Sequence, residues 1–222
     1  GSGDRICYHG VMDMFRNPKL AASVYACEQD EIPVLQITSS MDIGEHPGCN
    51  RGNLYILSNA DSVRMYKNDR FIKEYRPEMS PYKHLKHGPI LIDDFIGDAL
   101  EKNERFRPKH AKEMADAMNI VARGSLNHIP KRLYPTALKL ALLYHIDFAE
   151  VTKLYTKYIG DWGGTATVYR FDAIKDGKVI KSVTKEPVNE IRLQAEADHT
   201  NLTEHHSYDV ALVRIRAVDA HG

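Results

Sequence analysis

Apolar residues recur along this chain first at helical spacing, then at strand spacing, then at helical and again at strand spacing. Near the start, Leu20, Val24 and Cys27 fall on one helical stripe behind Asn17-Pro18, a pairing that predicts an N-cap followed by proline at the first helical position. From residue 54 the period becomes two. Leu54 and Ile56 alternate with polar positions, Ser58 to Asp61 supplies turn chemistry, and Val63, Met65, Phe71 and Tyr75 outline strands around an Asn68-Asp69 turn. A third stretch returns to helical spacing: Pro108 opens a helix through Ala111, Met114, Ala115, Met118 and Val121 to a stop at Gly124. Two more helices are predicted over 133–145 and 148–159. The last stretch reads as strands again, Thr167-Val-Tyr-Arg-Phe171, a hairpin turn at Asp176-Gly177, Val179-Ile-Lys-Ser-Val183 and Ile191-Arg-Leu-Gln-Ala195.

Neither β-region has enough strands to close a sandwich alone. The pattern therefore predicts a mainly β fold, one sandwich interrupted by a helical insertion at about 93–160. A loop and helix over 1–30 precede it, and the sandwich domain occupies 31–222. No internal repeat or low-complexity stretch is present.

Composition changes this picture little. The 222 residues carry 30 basic and 30 acidic side chains, so no global charge points to nucleic acid or to an anionic membrane surface. No apolar run approaches the roughly 18 residues of a membrane helix, and no cleavable signal sequence is visible. Cys7, Cys27 and Cys49 are odd in number and have no Cys-x-x-Cys spacing, which reads most simply as reduced thiols in a cytoplasmic protein.

Three segments carry a resemblance. Gly10-Val-Met-Asp-Met-Phe-Arg-Asn-Pro-Lys-Leu-Ala-Ala22 resembles the last loop and helix of the catalytic barrel in family 2 glycoside hydrolases of the β-galactosidase type. Ser58-Asn-Ala-Asp-Ser-Val-Arg-Met-Tyr-Lys-Asn68 is similar to the immunoglobulin-like domain that follows that barrel. Tyr208-Asp-Val-Ala-Leu-Val-Arg-Ile-Arg-Ala-Val-Asp-Ala-His-Gly222 is similar to the strand introducing the next β-domain. The resemblance implies an immunoglobulin-like sandwich preceded by one helix left from a (β/α)8 barrel. It also implies a parent that hydrolyses terminal β-galactosides with retention, with a β-glucuronidase or β-mannosidase parent left open.

Retaining glycosidases need two carboxylates about 5–5.5 Å apart, and the family places its two glutamates on strands before the eighth helix, upstream of this chain. The expectation is that no residue here is catalytic and that the segment alone is inactive. The resemblance would put the loop from His9 to Asn17 at the barrel's substrate face, with His9, Asp13 and Arg16 as candidates for the pocket rim. The plainer reading pairs Asp13 with Arg16 or spends them on backbone groups near the helix start. The helix over 18–29, deprived of its barrel, is predicted to dock on the sandwich or on a second chain.

Histidine is abundant, yet His84, His87, His205 and His206 show no zinc-ligand spacing and read as solvated loop residues, so no metal and no cofactor is expected. Asp93-Asp94 before Phe95 reads as a helix N-cap rather than a carboxylate dyad. Residues 141–154 offer a helix-turn-helix alternative, with eight basic against two acidic residues over 105–139. The supposed recognition helix is not itself basic, however, and His145 stands where the turn usually has glycine. A carbohydrate-binding platform of Tyr55, Tyr66, Tyr75, Tyr82 and Trp162 is the other alternative, although alternating strand aromatics are more often core. The partner expected is the rest of the same polypeptide, its catalytic barrel. Contact with another subunit through the insertion is left open, because the family is often oligomeric.

Overall fold

The computed structural model describes residues 9–14, 16–41, 51–124, 129–160, 167–187 and 190–219. The chain divides into two compact units, Gly1–Glu186 and Pro187–Gly222. Among the described residues no helix is long and apolar enough to cross a membrane.

The first unit contains two antiparallel sheets. Strands β1 (Leu35–Ile37), β2 (Tyr55–Ser58) and β5 (Ile90–Leu91) form one, in the order β1-β2-β5. Strands β3 (Ser62–Lys67), β4 (Arg70–Tyr75), β6 (Tyr169–Lys175) and β7 (Lys178–Lys185) form the other, in the order β4-β3-β6-β7. Strand β3 thus pairs with β6 across the whole helical stretch, with Val63 opposite Ala173 and Met65 opposite Phe171. These four side chains face the core. The alternate positions face outward and pair by charge, Arg64 with Glu74 at 3.2 Å and Arg170 with Asp172 at 3.3 Å.

Both hairpins of the larger sheet close through residues in the left-handed region. Asn68 and Asp69 have φ of 48° and 60°, and Asp176 and Gly177 have φ of 51° and 71°. Positive φ at both central positions matches the right-handed twist of the flanking strands, which fixes the register read from the sequence.

The helical stretch comprises α2 (Ala99–Asn103), α3 (Pro108–Arg123), α4 (Tyr134–Tyr144) and α5 (Phe148–Tyr155), which runs on into a π turn at Thr156–Gly160. Pro108 opens α3 and Gly124 ends it, as the sequence predicts. Inner residues of α3, among them Met114, Ala115 and Met118, join Ile56, Val63, Phe95 and Phe171 in one core. The turn between α4 and α5 is made by His145, left-handed at φ 51° without being glycine, and Asp147 caps α5 by accepting from Glu150 N at 2.8 Å.

Three expectations need correction. Helix α1 (Leu20–Ala26) starts with Lys19 as its N-cap, not Asn17, because Asn17 is already held by Asp13. Asp94 does not open a helix at Phe95. Its Oδ1 accepts from the backbone N–H groups of Ile96 and Gly97 and from Asn119 Nδ2, all at 2.9 Å, forming a turn that clamps α3, and α2 begins five residues later. The third concerns the stretch after β7, which the sequence reading kept in the sandwich. Among the described residues, strands β8 (Arg192–Ala197) and β9 (Val213–Val218) instead form a separate two-stranded sheet, in the second unit.

Buried polar groups tie the first unit together. Arg51, 6% exposed, donates to the carbonyls of Met41 and Ile159, both at 3.1 Å, and to Tyr169 Oη at 2.9 Å. Its guanidinium lies 5.1 Å from the Phe95 ring centroid and 5.2 Å from that of Tyr169. Its backbone N–H reaches Ala122 O at 2.7 Å. One side chain therefore joins the end of the helical stretch to the larger sheet.

Candidate functional site

The loop over 9–19 closes on itself. Met12 and Pro18 form an isolated antiparallel bridge, Lys19 N donates to Val11 O at 2.9 Å, and Asp13 N donates to Asn17 O at 3.0 Å. The Asp13 carboxylate accepts from Asn17 N at 2.8 Å and from Asn17 Nδ2 at 2.9 Å. Asp13 therefore takes part in the loop's own geometry through Asn17. Arg16 is exposed, at a φ of 63°, and its N–H donates to Asp13 O. His9 is exposed, and its carbonyl accepts from Lys19 Nζ at 3.3 Å. The fold places all three candidates in one short loop and leaves His9 and Arg16 facing solvent.

Helix α1 lies against β2, as its apolar stripe predicts. Cys27, at its C-terminal end, is fully buried, while Val24 is half-buried and Leu20 stays 48% exposed. Between helix and sheet runs a shallow groove of about 230 Å³ lined by Leu20, Val24, Tyr55 and Tyr82. Burial and the nearby Glu28 push the Cys27 thiol up to about 11. Cys7 and Cys49 lie outside the described residues.

Among the described residues, Tyr55, Tyr66, Tyr75 and Tyr82 do not form one aromatic platform. Tyr75 is fully buried, and burial with Asp93 and Asp94 nearby raises its phenol well above the usual value. Tyr66 packs edge-on against Phe71 beneath Arg170, and Trp162 lies outside the described residues. Tyr55 and Tyr82 share a surface, the groove beside α1.

Several carboxylates are engaged in ion pairs and turns. Lys86 holds Asp30 below its usual range, Lys139 does the same for Glu113, and Lys102 with Arg70 does so for Asp98. Partial burial alone would raise Glu104, but hydrogen bonds from Lys157 at 2.8 Å and Tyr158 at 2.7 Å outweigh it and leave its pKa lowered. Glu74 behaves in the same way, with Ser62, Arg64 and Arg76 offsetting its desolvation. A glycosidic general acid needs the opposite displacement.

No three His, Cys, Asp or Glu side chains among the described residues group to hold a metal. The expectation of solvated loop histidines fails at His87. Its ring is only 10% exposed, lying 3.8 Å from Asp30, because Lys86 pairs with Asp30 and the backbone N–H of His87 donates to Glu28, pinning this loop onto the segment after α1.

An apolar opening lies elsewhere, between α3, α4 and α5. It measures about 430 Å³ and is lined by Met114, Met118, Leu140, Val151 and Tyr155 with Phe148 at its edge. The helix-turn-helix alternative thus meets an apolar groove at the face where a basic recognition surface would be needed.

No protein-family model matches the chain. Over 96 residues, 42% of its length, it is 42% identical to a β-galactosidase of Thermoanaerobacterium thermosulfurigenes, covering 13% of that protein. Over 93 residues it is 40% identical to a β-galactosidase of Thermoanaerobacter pseudethanolicus, covering 12% of it. The chain therefore matches only about an eighth of the length of these relatives. A β-glycosidase from Bacteroides vulgatus superposes over 95% of the chain and 17% of its own, with a TM-score of 0.48 and 11% identity.

Proposed function

We propose that this chain is a non-catalytic portion of a β-galactosidase-like glycoside hydrolase of family 2. In this reading it comprises the final loop and helix of the barrel followed by an immunoglobulin-like sandwich with a helical insertion. The observation that carries the reading is the 42% identity over 96 residues with a β-galactosidase. The pairing of β3 with β6 across the helical stretch supports a β-domain with an insertion, and the packing of α1 on β2 supports a helix that bridges barrel and sandwich.

The proposed work is mechanical. A retaining mechanism needs two carboxylates at a fixed separation, one of them with a raised pKa, whereas Asp30, Glu74, Asp98, Glu104, Glu113 and Asp198, among the described residues, are lowered by cationic or hydrogen-bonding partners. The parent's nucleophile and acid would therefore lie in the barrel. This segment would hold the last barrel helix in place through Cys27 and the Lys86–Asp30 and His87–Glu28 clamps. His9 and Arg16, which the loop leaves exposed, would be the residues placed toward the pocket rim, with Asp13 contributing to the loop's shape through Asn17. The reading also places the polypeptide in the cytoplasm, supported by the free thiol of Cys27.

The test is a chromogenic assay of this chain and of the parent polypeptide on β-galactoside, β-glucuronide and β-mannoside substrates. Turnover of the galactoside by the parent alone is expected. Turnover by the chain alone, or a parent inert on all three, would refute the proposal.

A further inference from the structure

A cleft of about 330 Å³ opens in the first unit between β4, the turn at 94–98, α2 and α3. Its apolar lining is buried, from Ile72 and Leu100 and from Ala111 and Ala115, which lie one turn apart on α3 and put only methyl groups there. Phe71, 48% exposed, supplies an aromatic wall. It packs edge-on against Tyr66 with ring centroids 5.8 Å apart, a contact that orients the ring. The rest of the rim is exposed and mixed in charge, with Asp98, Glu101, Lys112 and Asp116. Asp98 pairs with Arg70 and, at 2.6 Å, with Lys102, while Lys112 pairs with Asp116 at 3.0 Å. Glu101 forms no ion pair with a described residue.

We propose that this cleft binds a neutral hexopyranoside. A pyranose ring needs an apolar or aromatic wall for its C–H groups. Its hydroxyls, each a donor and an acceptor, need acceptors and donors close together. Phe71 and the alanine methyls meet the first need, and Glu101, Asp98, Asp116 and Lys112 meet the second. Other ligand classes fit less well. No three acidic, His or Cys side chains among the described residues group to hold a cation. An anion would meet the carboxylates of Asp94, Asp98, Glu101 and Asp116 around the one lysine of the lining. The ion pairs already present leave the site open, because exposed pairs contribute little and a carboxylate keeps lone pairs for a hydroxyl beside its cation. The volume stands at the lower end of ligand pockets and suits a single sugar rather than a long chain. The choice of a galactoside as the sugar rests on the glycosidase reading, whereas the cleft's chemistry does not.

Titrating the 222-residue chain with methyl β-D-galactopyranoside and following its backbone amides by NMR tests the proposal. The expected result is saturable shifts confined to residues 71–72, 94–101 and 111–116, with a dissociation constant on the order of 1 mM. Phe71→Ala and Glu101→Ala should each weaken binding roughly 10-fold. Glu101→Ala carries the test even if Phe71→Ala fails to fold, because Glu101 is exposed on α2. Tyr82→Ala, in the groove beside α1, should bind as the unaltered chain does. Inorganic phosphate and calcium chloride should move none of these amides. No saturable shift up to about 100 mM sugar, shifts that both cleft variants leave unchanged, or tighter binding of phosphate or calcium at the same amides would each overturn the proposal. Binding here with a parent inert on galactosides would uphold the cleft and refute the glycosidase reading, and an active parent whose cleft stays silent would do the reverse.

Discussion

Replacing Arg51 with methionine keeps most of the side-chain volume and removes the guanidinium that joins Met41 O, Ile159 O and Tyr169 Oη. Hydrogen bonds from a charged donor contribute about 1.5–3 kcal/mol each, and a buried acceptor left without a partner costs about 1–3 kcal/mol. Tyr169 keeps a hydroxyl that can turn toward another acceptor, so the two carbonyls dominate the loss. Relief of the guanidinium's own desolvation offsets part of this. A net destabilisation of about 3–4 kcal/mol remains, which for a chain of this size lowers the melting temperature by roughly 10 °C. Urea unfolding followed by far-UV circular dichroism measures it, with Arg170→Met as the reference. Arg170 pairs with Asp69 and Asp172 at the sheet surface with its side chain 38% exposed, so its loss should cost no more than about 1 kcal/mol. A loss below about 1 kcal/mol at Arg51, or equal losses at both sites, would show that the buried guanidinium does not hold the helical stretch to the sheet.

Other consequences follow from single positions. Gly97 has φ of 59°, and a Cβ there would come within 3.2 Å of the Ile72 backbone, whereas Gly177, at φ 71°, has open space. Gly97→Ala should therefore destabilise by about 2–3 kcal/mol and Gly177→Ala by about 1 kcal/mol in the same unfolding assay, and equal losses would contradict the close approach. At pH 8, with its pKa raised from 9.0 to about 11, Cys27 should alkylate roughly 100-fold more slowly than an ordinary thiol, as read by peptide mass spectrometry. Rapid labelling in native buffer would contradict its burial. Glu104 is held below its usual carboxylate pKa in the folded state, so its contribution is full above the unfolded value and is lost as pH falls through the folded one. Glu104→Gln should accordingly weaken the dependence of stability on pH below about 4.5 and leave no added slope near neutrality.

Local chemistry was legible wherever it acted through neighbours in sequence. Pro108 and Gly124 bound α3, and Asn68-Asp69 and Asp176-Gly177 turn their hairpins, because proline's fixed φ and a left-handed turn are properties of two or three adjacent residues. Asn17 misled because Asp13, four residues back, takes its hydrogen bonds before the helix begins. Asp94 misled for a related reason: Asn119, 25 residues on, completes its turn and leaves no cap to give. The division after β7 was hidden because β8 and β9 alternate as any half-buried pair would, and periodicity does not say which sheet a strand joins. Arg51 gave no sign at all, since Met41, Ile159 and Tyr169, which its guanidinium joins, lie 10 to 118 residues away. The groove beside α4 could have been found, because one charge in eleven residues of a helix already shows apolar side chains on more than one of its faces.

The central claim is that this chain supports catalysis without performing it. It is tested most directly by measuring kcat/KM on a chromogenic β-galactoside, together with the half-life of thermal inactivation, in the proposed parent polypeptide carrying Arg51→Met. The account predicts an unchanged kcat/KM per folded molecule at 25 °C and a much shorter half-life. A fall in kcat/KM with the half-life preserved would contradict it.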